Sequence, residues 1–441
     1  MADKALAISA AVPGGRWSRL ARLGSLAGGV AGNMLAEGAR KFAQGKRPQL
    51  HQLLLTPANA RRVADQLAQL RGAAMKVGQL LSMDAGELLP PDLADILSRL
   101  RADAIPMPMS QVVNVLDANW GEGWDRHFTQ FSFTPTAAAS IGQVHFGQRK
   151  DGRKLAVKIQ YPGIRRSIDS DVDNVATLLR VSGLLPKSLD IKPLLDEAKK
   201  QLHDEADYRR EGACMMQFSS LLAGADEFIV PEMHDDLTTE NILAMTRLDG
   251  VALESLGDLP QAERDRIVGQ LFRLLFREIF EFRLIQTDPN FANYRYASAS
   301  RQLILLDFGA TRAYPAALVD SYRQLIASAI GDDRQGMNAA AQAIGYFQDD
   351  IKENQRQAVL DIFALGCEPL GSAGAYDFGR SDLGVRIRDA GMVLGMDRDF
   401  WHTPPADALF LHRKLGGLYL LAAKLKARVD VHGLASSYCL Q

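Results

Sequence analysis

The alternation of apolar and polar positions changes its period several times along the chain. From Pro57 to Met83, Leu67, Leu70, Ala74, Val77 and Leu81 recur at the three-and-four interval that lines one face of a helix. Two further helices are predicted at about Asp92 to Arg101 and Ser110 to Asn119. At Phe131 the period shortens to two, which predicts antiparallel strands over Phe131 to Thr134, Gln143 to Gln148 and Lys154 to Gln160. Lys150-Asp151-Gly152 forms an Asp-Gly hairpin between the last two. A charged insertion, Ile164 to Leu189, leads to a helix over about Ile191 to Leu222, then to strands at Phe228 to Met233 and Asn241 to Met245. The helical period returns at Glu263 to Arg283, where Ile267, Leu271, Leu274, Leu275, Ile279 and Phe282 share a face. A short apolar run, Leu303 to Leu306, has the length of a buried strand. Helices then continue to the end, at about Pro315 to Ile330, Arg334 to Ile344, Asn354 to Ala364 and Ala406 to Arg428. This order predicts an α+β chain of two lobes: a small antiparallel sheet lobe over 131–249 and a larger helical lobe over 250–441. A helical extension over 56–130 precedes them.

Composition narrows this only a little. The 441 residues are ample for several domains, and 51 basic against 52 acidic side chains give a net charge of −1, so no global field draws the chain to nucleic acid. Cys214, Cys367 and Cys439 lie far apart with no metal-ligand spacing, which points to a reducing compartment. No window of about 20 apolar residues exists to span a bilayer. The nearest is Leu20 to Leu35, flanked by Arg16, Arg19, Arg40 and Lys41, with Gly24, Gly28 and Gly32 at the spacing that lets helices approach closely. Residues 1–16 read as disordered, and 17–55 as this Gly-rich helix and a basic linker. The helix lies on an anionic membrane surface or self-associates, which leaves a homodimer open; the competing reading is a soluble Gly/Ala helix packed on its own domain. Asp3 is the sole acid among the first 36 residues, so an organelle transit peptide is a further, lower-ranked reading.

The chemistry concentrates between Leu284 and Arg312. Asp288 is followed five positions later by Asn293, and the apolar run delivers Asp307 into Asp307-Phe308-Gly309. Phosphoryl transfer asks for one Asp to orient the acceptor and for an Asp and an Asn to hold Mg²⁺ on the phosphates, and this spacing supplies them. The bland alternative has Asp288 capping a helix and Asp307 opening a turn. Upstream, Lys158 on the third strand stands after the small-residue loop Ala137, Ala138, Ala139, Ser140, Ile141, Gly142. A strand-borne Lys beneath such a loop suits a grip on the α and β phosphates, although an exposed strand lysine is the simpler reading of Lys158 alone. Such a site also needs an acid from the following helix to pair with the lysine, and Glu205, Asp207 and Glu211 are available. No Ala-Pro-Glu follows Asp307-Phe308-Gly309, so the standard activation segment on which peptides dock is missing.

Together AAASIGQVH, MKVGQLLS, EADYRRE, QTDPNFAN and LLDFGATR resemble the ABC1/UbiB/COQ8 (ADCK) family of atypical protein-kinase-like proteins, and the likeness spans roughly residues 20 to 430. The resemblance implies a bilobal protein-kinase-like fold with the N-terminal helical extension packed over the cleft. Its K-x-G-Q signature falls on Lys76, Gly78 and Gln79, on a helix lying where a kinase would take a peptide, and its E-x-D pair, Glu205 and Asp207, would hold Lys76 there. The acid partner of Lys158 is then Glu211, with Glu205 as the alternative. Ala137 to Ala139 replace the usual glycines, narrowing the backbone and so altering nucleotide preference. Asp288 becomes the catalytic carboxylate, Asn293 and Asp307 the metal holders. Gln286-Thr287 stands where protein kinases carry His-Arg.

These expectations add up to an ATP- or ADP-binding, Mg²⁺-dependent slow ATPase that supports ubiquinone (coenzyme Q) biosynthesis. Its expected partners are a quinone-like lipid or precursor, coenzyme Q biosynthesis proteins and an anionic membrane. Its expected place is the cytoplasmic side of a bacterial inner membrane, ahead of the mitochondrial one. The alternatives are a catalytically weak nucleotide-binding scaffold and a small-molecule or lipid kinase.

Overall fold

The computed structural model describes residues 72–74, 76–78, 106–182, 191–347, 351–395 and 404–439. The Gly-rich helix and linker of residues 17–55, the helix expected at Asp92 to Arg101, and Gln79 lie outside the described residues. Of the helix expected over Pro57 to Met83, Gly72–Ala74 and Lys76–Gly78 are described, and they are helical and buried. The chain divides into two units. Among the described residues the first comprises 72–212 and 233–247, the second 213–232 and 248–439.

In the first unit α1 (Met109–Trp120) buries Val112 and Leu116. It precedes β1 (Phe128–Phe131), β2 (Ala137–Ala138), β3 (Gly142–Arg149) and β4 (Lys154–Gln160). Three helices follow: α2 (Ile164–Ser182), α3 (Lys192–Glu205) and α4 (Tyr208–Leu221), the last crossing the unit division at Gly212. After β5 (Phe228–Ile229), a strand of the second unit, the first unit closes with β6 (Ile242–Thr246). The sheet is antiparallel in the order β1-β3-β4-β6, with β2 added on β3. As the inner strand, β4 is covered on both faces. Leu155, Val157 and Ile159 are fully buried on one face, and Lys158 and Gln160 are nearly so on the other.

Three elements differ from the sequence expectation. β1 starts three residues earlier, because Phe128 stacks on Trp120 at 5.6 Å and meets Trp124 and Phe131 edge-on. The helix expected over Ile191 to Leu222 is two helices. Gln160 Nε2 donates to the Ala206 carbonyl at 3.0 Å, and Asp207 Oδ1 accepts from the Arg210 N–H, opening α4 with a fresh cap. The charged insertion is helical as far as Ser182, burying Ile164, Ile168, Val172, Val175, Ala176 and Leu179.

In the second unit β7 (Val251–Ala252) leads into α5 (Gln261–Phe276). A π-helical turn, Arg277–Phe282, ends at Arg283 in the left-handed region (φ 49°). Then come β8 (Leu284–Gln286), β9 (Tyr294–Ala297), β10 (Gln302–Leu305) and β11 (Thr311–Ala313). β10 pairs antiparallel with β9 and parallel with β5, while β8 pairs antiparallel with β11. The helices α6 (Ala316–Ile330), α7 (Arg334–Ile344), α8 (Glu353–Gly366), α9 (Leu383–Gly395), α10 (Ala406–Lys424) and α11 (Val431–Cys439) follow. Phe272 of α5 is fully buried between Phe378 and Tyr419. The last long helix stops at Lys424 rather than Arg428. Lys426 turns left-handed (φ 51°), and Arg428–Val429 becomes β13, pairing with β12 (Tyr376–Asp377).

Candidate functional site

The first unit presents a buried lysine. The β3-β4-β6 register sets Lys158 between Val144 and Leu243. Its side chain points to the face where α4 begins, and Lys158 Nζ donates to Glu211 Oε1 at 2.6 Å. Lys158 is 6 % exposed and Glu211 1 % exposed, so each charge offsets part of the other's burial cost. Glu205, the alternative partner, is taken elsewhere: one carboxylate oxygen pairs with Lys76, which is itself 8 % exposed, and Oε2 accepts from Ser140 Oγ at 2.8 Å. Asp207 caps α4 and stands 3.9 Å from Arg165.

The alanine loop is a tight hairpin. Ala137 and Ala138 pair with Val144 and Gln143, and the Ala139 N–H donates to the Gly142 carbonyl at 2.9 Å, leaving Ser140 and Ile141 at the turn. The Lys76 helix lies directly on it: a Cβ on Gly72 would stand 2.8 Å from the Ser140 carbonyl oxygen. Gly142 is equally confined, since a Cβ there would come within 2.4 Å of the Ile159 carbonyl oxygen. Beneath the sheet His145 accepts from Gln143 Nε2 and donates from Nδ1 to the Ser132 carbonyl. Burial lowers its pKa, against that backbone bond, which raises it. This Gln143-His145 pair was missed by the sequence reading, although a polar Gln and His alternating with apolar residues on a strand is its visible trace.

The second unit presents a carboxylate cluster. Asp288 follows β8 and Asp307 precedes β11, so the pairing of Gln286 with Thr311 sets their loops side by side. Thr287 N–H and Oγ1 both donate to the Ala310 carbonyl, and the Leu306 N–H donates to the Asn293 carbonyl at 2.9 Å. Asn293 Nδ2 donates to Asp288 Oδ2 at 2.8 Å, which orients the carboxylate and leaves the amide oxygen as Asn293's acceptor. Asp307 Oδ1 accepts from the Gly309 N–H at 3.0 Å, and Phe308 is buried against Phe218, ring centroids 5.1 Å apart. Asp288, Asn293 and Asp307 all stay half-exposed. The Tyr294 hydroxyl registers their convergence: its pKa is raised first by burial, then by the charges of Glu278, Asp288 and Asp307.

Among the described residues no three His, Cys, Asp or Glu side chains gather to cage a metal by themselves. That donor set fits Mg²⁺, which takes oxygen ligands, keeps waters, and is held by one or two protein groups plus substrate phosphates. The second unit's amide-carboxylate set is the kind that holds a metal on phosphates, and a buried strand ammonium such as the first unit's is the kind that grips them.

This fold and this division of polar groups define a kinase-like protein. The ABC1 atypical kinase-like domain matches residues 99–341, and the chain belongs to that family. It is 40 % identical over 427 residues to the mitochondrial atypical kinase COQ8B of Rattus norvegicus, covering 96 % of this chain and 80 % of the rat protein. It is 37 % identical over 422 residues to the mitochondrial atypical kinase COQ8 of Saccharomyces cerevisiae, covering 96 % and 84 %. Among solved structures, a Mycobacterium tuberculosis protein, Rv3197, in complex with erythromycin superposes with a TM-score of 0.58 at 25 % identity, covering 84 % of this chain and 93 % of that one.

Proposed function

We propose that the chain binds ATP or ADP with Mg²⁺ and hydrolyses ATP slowly in support of ubiquinone biosynthesis. The observation that carries this reading is the β8-β11 pairing, which sets the Asp288 and Asp307 loops side by side with Asn293 bonded to both strands' surroundings. Lys158, held by Glu211, grips the nucleotide phosphates; Ala137, Ala138, Ala139 and Ser140 line the phosphate loop; Asp288, oriented by Asn293, positions the attacking oxygen. Asn293 and Asp307 are the residues that would hold Mg²⁺, which when bound neutralises phosphate charge. Lys76 and Gln79 with Glu205 and Asp207 form the regulatory element: the Lys76-Glu205-Ser140 chain fixes the K-x-G-Q helix on the phosphate loop and restrains peptide phosphorylation.

The biosynthetic role rests on the COQ8 relatives, and the proposed setting is the cytoplasmic face of a bacterial inner membrane, with coenzyme Q biosynthesis proteins and a quinone-like lipid as partners. No helix of the described residues is long and apolar enough to cross a membrane. We place the association at the membrane periphery, through residues 17–47, and liposome flotation with and without them tests it; unchanged partition refutes the membrane role. For the nucleotide claim, ATP turnover and nucleotide-induced thermal shift are compared for the wild type, Asp288→Asn and Asp307→Asn. Equal behaviour of wild type and Asp307→Asn refutes metal-nucleotide binding. A shift without turnover above Asp288→Asn makes the protein a scaffold, and phosphate incorporated into a cellular extract above that background makes it a kinase, of a small molecule, a lipid or a protein.

A further inference from the structure

A second charged pair lies beside the Asp288 loop, and nothing in the nucleotide reading uses it. Glu278, in the π-helical turn, is fully buried and ion-pairs with Lys414 of α10, which is 8 % exposed. Replacing such a pair with apolar side chains of similar volume is often neutral or stabilising, so stability alone does not explain its presence.

The pair is connected to the loop on both sides. Gly417 lies three residues beyond Lys414, hence on the same helix face. A Cβ at Gly417 would stand 3.1 Å from Pro289 Cβ and 3.6 Å from Phe291, so the α10 backbone rests on the residue after Asp288. Gln286, two residues before Asp288, is buried. Its main-chain N–H stabilises the Glu278 carboxylate, and its Oε1 faces the Tyr294 hydroxyl at 3.4 Å. Among the described residues Glu278 Oε1 and Gln286 Nε2 have no hydrogen-bond partner, so this layer keeps polar atoms that a merely structural core would shed. Burial lowers the pKa of the Lys414 ammonium, while Glu278 and, after it, Asp288 raise it, so both carboxylates favour the charged lysine.

We propose that Lys414 is a positioning residue for the catalytic loop: fixed by Glu278 and carried on α10, its ammonium supplies the positive charge that holds Asp288 in its working orientation. The inference rests on the reading of Asp288 as the catalytic carboxylate. The test is steady-state ATP turnover of the full chain with Mg²⁺, thermal midpoints measured alongside. Removing both charges in Glu278→Gln/Lys414→Met leaves no buried charge unpaired, so this variant should fold. It should lose about 10- to 100-fold in kcat, with KM for ATP changed by no more than about twofold. Lys414→Arg, which keeps the charge beside an intact Glu278, should retain most of the turnover. A folded double variant with wild-type kcat, a KM rise that accounts for the loss, or Lys414→Arg as slow as the double variant overturns the inference. Wild-type turnover no higher than that of Asp288→Asn overturns the reading of Asp288 and this inference with it.

Discussion

Lys158 and Glu211 show how much one buried pair commits a fold to. With both side chains almost entirely out of water, Glu211→Gln removes the carboxylate bonded to this ammonium and should destabilise the protein by about 3–5 kcal/mol, read as a lowered midpoint in chemical denaturation. Wild-type stability in that variant would mean that water reaches Lys158. Two buried histidines add an acid sensitivity that begins at milder pH than that of the paired carboxylates. Burial pushes His412 down to about 4, where it stacks on Tyr346 and meets the Tyr322 hydroxyl, and burial lowers His145 likewise. Between pH 6.5 and 4 the unfolded chain takes up the His412 proton and the folded one does not, so stability falls as pH drops through that window, by about 3 kcal/mol in all. His412→Phe keeps the stack without the titration. Its thermal midpoint should fall less between pH 7 and pH 5 than the wild type's, and an equal fall would discard the assignment.

Among the elements, the strands that carry Lys158 and the apolar run into Asp307 were legible because hairpin chemistry and period fix them locally. The break at Ala206 was not legible, because it depends on Gln160 reaching 46 positions along the chain. α2 shows the opposite failure: Ile164, Ile168, Val172, Val175 and Leu179 had the helical spacing all along, hidden by the density of Arg and Asp between them. Glu278 and Lys414 were not legible either, since each stands among other charges, Arg277 and Glu281 around the one and Arg413 beside the other. The sharpest element-scale constraint is where β3 leaves the alanine turn. Gly142→Ala would press a methyl on the Ile159 carbonyl at 2.4 Å and on the Tyr208 hydroxyl at 2.7 Å, at a cost of about 1–3 kcal/mol. A crystal structure and denaturation midpoint of that variant would check it, and an unshifted backbone with unchanged stability would contradict it.

For the whole molecule, nucleotide binding is a linkage question. With Mg²⁺-ADP at about 100 times its dissociation constant, the folded state should gain about 2.7 kcal/mol, and Asp307→Asn should forfeit most of that gain in a thermal-shift titration. The order of motifs was readable because each sits on a short local element. The assignment of 213–232 to the second unit was not, since it comes from the parallel pairing of Phe228 and Ile229 with Leu303 and Ile304, some 75 positions away. The π-helical turn at Arg277–Phe282 carries a last consequence, for chain length. The turn takes in one residue more than an α-helical turn would, so a one-residue deletion there is absorbed by closing it to the ordinary repeat, with the flanking turns kept in phase. The same deletion inside α5 would turn everything beyond it by about 100° about the axis, carrying Glu278 away from Lys414 and putting β8 one position out of its pairing. Tolerance to single-codon deletion should therefore be higher across these six residues, Glu278 excepted, than across α5.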